Sequence, residues 1–116
     1  MKVLFHIDSQ AKWPMVLGNV ANMLQYGREN DASFEIEVVA NGDAVAHLGR
    51  RAAEEAELYS QMERLSREKV AFAACRNALN NLHIEAALLC PFVAIVPAGV
   101  VEIAARQQEG YAYIKP

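Results

Sequence analysis

Short apolar runs alternate with amphipathic helical stripes along the whole chain, and that alternation limits the fold more than any other feature. Residues 3–7 (Val-Leu-Phe-His-Ile) form a mostly apolar run with a β-branched residue at each end, suited to a strand buried on both faces. A helix is expected next, with Pro14 in its first turn and Trp13, Val16, Leu17, Val20 and Leu24 along one face. Gly27 and the polar run Arg28-Glu29-Asn30-Asp31 are expected to end it. Residues 34–40 read as a second strand closed by the turn pair Asn41-Gly42, with a short helical segment over about 43–48. Residues 50–69 read as one longer helix, Leu58, Met62 and Leu65 inside and Arg–Glu pairs four apart outside. A third strand over 70–74 leads to Cys75, and Asn77 can cap a helix over about 78–82. A fourth strand over 92–96, a helix over 97–108 stopped by Gly110, and a short fifth strand over 111–115 complete the pattern.

Strand–helix alternation without repeats or linkers predicts a single α/β domain over residues 1–116, a mainly parallel five-stranded sheet between two helical layers. With 53% apolar residues in 116, such a chain can bury a core without a disulfide or metal. The uncharged stretch 86–101 is broken by Pro91, Pro97 and Gly99. It falls short of the ~20 residues a spanning helix needs and reads as a buried strand followed by a helix, with no membrane partner. The apolar start stops at Asp8, too soon for a signal-peptide core. Two Cys without a secretory signal then point to a reducing, cytoplasmic setting. A net charge of −3, with Arg and Lys interleaved among Glu, disfavours nucleic-acid binding.

In parallel sheets, chemistry gathers at the carboxyl ends of the strands, which selects Asp8, Ser9, Asn41, Gly42, Cys75, Arg76, Asn77, Pro97 and Gly99. No G-x-G-x-x-G or G-x-x-x-x-G-K-[ST] is present, so dinucleotide and P-loop phosphate binding lack support. A receiver-type phosphoacceptor would need an acidic pair after strand one and an Asp after strand three, where this chain has Asp8 alone and Cys75. His6, His47 and His83 are far apart and the Cys lack a C-x-x-C partner, so no metal site is expected. His6 reads as a hydrogen-bonded core histidine, because no adjacent nucleophile can be named.

Cys75 is the informative residue, at the junction of a buried strand and a helix. Backbone N–H groups and the positive end of a helix dipole both favour a thiolate there, and Arg76 adds a charge. By position alone, a reactive thiol and a small apolar core residue remain equally open readings. Cys90, in Leu88-Leu89-Cys90-Pro91-Phe92, has wholly apolar neighbours and reads as a structural thiol. One Cys follows strand three and the other precedes strand four, so parallel strands set them at opposite sheet edges. A five-residue strand spans about 16 Å, whereas a disulfide needs Cα atoms within roughly 7 Å, so no internal pairing is expected.

Several segments together resemble the DsrE/DsrF-like proteins, closest to their small single-domain branch. They are His6-Ile7-Asp8 with Lys12-Trp13-Pro14, the Val38-Val39-Ala40-Asn41-Gly42 turn, Ala74-Cys75-Arg76-Asn77-Ala78-Leu79, and the segment from Val96-Pro97-Ala98-Gly99 to Gly110-Tyr111-Ala112-Tyr113-Ile114. The resemblance covers nearly the whole chain and implies a three-layer α/β/α domain that assembles as a trimer or hexamer. It also implies a sulfur relay, in which a Cys at the end of the third strand, matched here by Cys75, carries a persulfide between donor and acceptor proteins. Asn80-Asn81-Leu82 departs from the basic-Gly pair of the better understood relatives. In such a relay Arg76 and helix-end N–H groups would hold the anion, and Asp8, Asn41, Gly42 and Asn77 would line or orient it, with no metal or organic cofactor required. A non-catalytic module of the same fold that binds a small ligand, or a purely structural assembly subunit, is the competing reading.

Overall fold

The computed structural model describes residues 1–116. Five parallel strands make one sheet: β1 (Lys2–Ile7), β2 (Glu35–Ala40), β3 (Ala71–Cys75), β4 (Val93–Val96) and β5 (Ala112–Ile114), in the order β4-β3-β2-β1-β5. The helices are α1 (Trp13–Asn30), α2 (Arg50–Glu55), α3 (Tyr59–Arg67), α4 (Arg76–Asn81) and α5 (Gly99–Gln108). Short 3-10 turns lie at Gln10–Lys12, Gly42–Leu48 and Ala86–Leu88. The α/β sandwich expected from the alternation is therefore present, and its sheet is wholly parallel.

The two faces of the sheet are covered unequally. Val3, Phe5, Ile7, Ile36, Val38, Ala40, Phe72 and Ala74 point to one face. There α1, α2, α3, α4 and the 42–48 turn close a core cluster of 25 buried residues. Trp13 ties this layer together. It is fully buried, its indole Nε1 donates to the Ala44 carbonyl at 2.9 Å, and its ring lies 6.3 Å from that of Phe72. Only α5 covers the opposite face, where Leu4, Val39, Ala73, Ile103 and Tyr111 form a cluster of 5.

Local departures from the expected boundaries have packing causes. Gly27 lies inside α1 rather than ending it, and a Cβ there would overlap the Ala32 carbonyl oxygen where the chain turns back. The helix stops at Asp31, in the left-handed conformation at φ 55°. Residues 50–69 form two helices, not one. Ala53 and Leu58 would sit about 140° apart on a straight helix, yet both are buried. A left-handed Glu57 (φ 60°) and a bond from Leu58 N to Ala53 O at 2.8 Å break the helix so that both faces reach the core. Segment 86–101 is not a buried strand and helix throughout. β4 is an edge strand with Ala94 exposed, and Leu88, Val100 and Val101 are exposed apolar residues.

Beneath α5, the sheet carries a buried carboxylate, Glu37 of β2. Arg106 Nε donates to Glu37 Oε1 at 2.8 Å and to Glu102 Oε2 at 3.1 Å, while its Nη1 reaches Glu109 Oε1 at 3.0 Å. The second Glu37 oxygen is buried without a partner. Burial first, and the neighbouring Glu102 second, push the Glu37 carboxyl up to about 7, and the Arg106 charge offsets this only in part. Burial alone would weaken the Arg106 charge, but the three carboxylates outweigh it and hold the guanidinium firmly protonated.

A carboxyl that binds its proton more tightly when folded stabilises the fold below its unfolded value of 4.5 and loses that contribution as pH rises through about 7. Denaturant unfolding is expected to show stability falling between pH 5 and 8 by on the order of 1 kcal/mol from this group. Glu37→Gln, which keeps an oxygen for Arg106, is expected to flatten that slope.

Candidate functional site

The first three crossovers run over the α1 face, but the β4–β5 crossover carries α5 over the other. At the carboxyl ends of the neighbouring strands β3 and β4 the chain therefore leaves in opposite directions, which opens a crevice beyond the sheet. A cleft of about 420 Å³ lies there. Its lining comes from the turn after β2 (Asn41, Gly42, Asp43), the end of β3 and α4 (Cys75, Asn77, Asn81), and the start of α5 (Ala98, Gly99, Val100).

Each wall has a local reason. Cys75 is the last residue of β3, pairs with Val96, and is the extended residue before α4. The helix starts at Arg76, so Asn77 lies in the first turn rather than capping it, and no side chain caps α4. At Gly42 the backbone is left-handed (φ +54°), and a Cβ would come 2.7 Å from the Asp8 carbonyl oxygen; glycine is required there. Gly99 is needed for space. A Cβ on it would lie 3.3 Å from both the Asn41 and Cys75 Cβ atoms, on the cleft wall. The first intrahelical bond of α5 runs from Glu102 N to Ala98 O, so the N–H groups of residues 99–101 are left over at the cleft end of the helix.

The cleft thus gathers five of the nine residues singled out at the strand ends: Cys75, Asn41, Gly42, Asn77 and Gly99. It does not gather Asp8, Ser9, Arg76 or Pro97. Asp8 pairs with Lys115 at 3.2 Å, both half exposed, and Arg76 projects as an exposed side chain outside the lining. Asp43 is the one charged residue on the wall, and its Oδ1 accepts from Gln10 N at 2.8 Å. Asn81, Ala98 and Val100 also line the cleft, though the sequence offered them only within longer segments and not as site residues. Sequence reasoning missed the partners of His6, which is half-buried and hydrogen-bonded to Tyr113 and to Asn41.

The two thiols differ as their neighbours do. Both are free. Cys90 is 2% exposed, its backbone N–H bonds the Leu48 carbonyl, and burial is the main cause that pushes its thiol up to about 11. Cys75 is also mostly covered, but it forms part of the cleft wall. Alkylation of the native protein by iodoacetamide, read by peptide mass mapping, is expected at Cys75, with Cys90 reacting only after denaturation. Gly99→Val is expected to slow the Cys75 reaction while cooperative unfolding is retained.

The model of the DsrE/DsrF-like family matches residues 1–116. Among solved structures the chain is similar to MTH1491, a protein of unknown function from Methanobacterium thermoautotrophicum. The two are 34% identical with a TM-score of 0.85, over 99% of this chain and 98% of that one. No match was found among curated proteins. No helix of the protein is long and apolar enough to cross a membrane. By a family match that spans its whole length, the chain belongs to the DsrE/DsrF-like family.

Proposed function

We propose that this protein is a sulfur carrier that holds a persulfide on Cys75. The carrying observation is the placement of Cys75: a free thiol on the wall of the crevice where β3 and β4 send the chain to opposite faces. The family's general association with sulfur relay supports the same reading. In the first step the Cys75 thiolate attacks the outer sulfur of a donor persulfide, R–S–SH. The donor S–S bond breaks, R–S⁻ leaves and takes up a proton, and Cys75–S–SH forms. In the second step an acceptor thiolate attacks that outer sulfur and Cys75 thiolate is released. Neither step needs an external oxidant or reductant, and neither needs a metal or organic cofactor.

The surroundings suit this chemistry. The cleft has no cation on its wall, so unpaired N–H groups at the start of α5 and the amides of Asn41, Asn77 and Asn81 would receive the anion. Cys90 is buried elsewhere, which makes transfer between proteins, rather than an internal dithiol, the fitting mode. The carrier would work as a homo-oligomer, trimer or hexamer, in a reducing cytoplasm; exposed apolar residues outside the cleft lining, such as Leu88 and Val101, are surface that a second copy would cover. The three Asn side chains also favour a second reading, a module that binds a small polar ligand with Cys75 merely lining the cleft.

Intact-mass measurement after incubation with polysulfide and desalting separates the two. Wild type is expected to gain sulfur-atom increments that a reductant removes, and Cys75→Ser is expected to gain none. No uptake, or equal uptake by the variant, overturns the carrier reading and leaves the ligand-binding one.

A further inference from the structure

A row of polar side chains crosses the carboxyl edge of the sheet toward the cleft. Tyr113 stands on β5, His6 on β1 and Asn41 directly after β2, so the row joins three neighbouring strands. Tyr113 Oη lies 2.6 Å from His6 Nδ1, and His6 Nε2 lies 2.9 Å from Asn41 Oδ1. Beyond Asn41 come Gly99 and Cys75.

The donor and acceptor roles in this row are tightly constrained. The Asn41 Oδ1 can only accept, so His6 Nε2 must carry the hydrogen. In the neutral ring Nδ1 is then a lone pair, and the Tyr113 hydroxyl donates to it. With its oxygen held by His6, the Asn41 carboxamide has its Nδ2 on the other side. That nitrogen lies 3.6 Å from where a Gly99 Cβ would stand, on the wall it shares with Cys75. An unrestrained carboxamide has a broad, roughly two-fold torsion and would offer an oxygen to the cleft as readily as N–H groups. An oxygen would repel an anion there.

We infer that Tyr113 and His6 are positioning residues that lock the Asn41 carboxamide with its N–H donors toward Cys75, where they bind the negative outer sulfur of the persulfide. The inference rests on the sulfur-carrier reading and deepens it by naming the group that receives the charge. Asn41 touches the reacting sulfur; His6 and Tyr113 act through it.

Two measurements on the full-length protein test this. Long-range ¹H–¹⁵N spectra of the His6 ring are expected to show Nε2 protonated and Nδ1 bare in wild type and in Cys75→Ser, with the tautomer mixed in Tyr113→Phe. A ring in wild type with the hydrogen on Nδ1 overturns the inference. Sulfur uptake from polysulfide, followed by intact mass against time, is expected to slow about tenfold or more in Asn41→Asp, because a hydrogen bond to a charge is lost. In Tyr113→Phe it is expected to slow about threefold, as for loss of one neutral bond. Tyr113 is 40% exposed, so its variant serves even where Asn41→Asp does not fold. Uptake at the wild-type rate in the variants overturns the inference and leaves the carrier reading standing. No uptake by wild type overturns both.

Discussion

The parallel pairing of β3 between β2 and β4 is the constraint on which the rest depends. Ala40 pairs with Ala74, and Cys75 pairs with Val96, so β3 reaches one residue beyond its β2 partner before α4 begins. The pairing is secured by what lies beneath it. Phe72 and Ala74 are buried on the thick side, where Trp13 packs on Phe72 and bonds to the 42–48 turn. The same indole hydrogen bond anchors the turn that starts with Gly42, which lines the cleft beside the start of α5. A shift of β3 by one residue would carry Cys75 away from the cleft and turn Phe72 out of the core.

The asymmetry between the two faces separates the large apolar core from the polar groups beside the cleft. The α1 face, with its large continuous core, supplies most of the apolar burial. The α5 face has few buried apolar residues and is held in good part by Arg106 and its carboxylates. Burying charge is costly even when paired, so this arrangement contributes less to stability than an apolar layer of equal area. In exchange, the thin face tolerates polar groups. His6 and Tyr113 project on that side of the strands with Leu4, and so can hydrogen-bond to each other and to Asn41 without disturbing the main core.

Much of the fold was legible because its causes are local. A strand such as Glu35–Ala40 and the left-handed Gly42 after it declare themselves in a few residues. The break at Glu57 was not legible, since it follows from where Ala53 and Leu58 must go in three dimensions, not from a Gly or Pro. The cleft shows the same division. Cys75, Asn41, Gly42 and Asn77 follow from strand ends, but nothing local discloses that Asp8 is taken up by Lys115 or that Tyr113 meets His6 across 107 positions of sequence. Such partners have no shared pattern; only the strand order β2-β1-β5 brings them together.

Two residues of one type sit in different surroundings here. Cys90 precedes β4 and is sealed among apolar neighbours, where burial penalises its charged form. Cys75 ends β3, where the chain parts to opposite faces, and though mostly covered it forms part of the cleft wall. Parallel strands put the two at opposite ends of the ladder, so neither can resolve a bond formed on the other. On the sulfur-carrier reading proposed above, a sulfur held on Cys75 would have to leave through a second molecule, and the cleft mouth would be the surface that molecule reaches. Exposed Val100 and Leu82 line the cleft together with the polar side chains of Asn41, Asn77 and Asn81. On that reading the combination suits a thiol-bearing chain, with amide donors kept for the charge it would deliver.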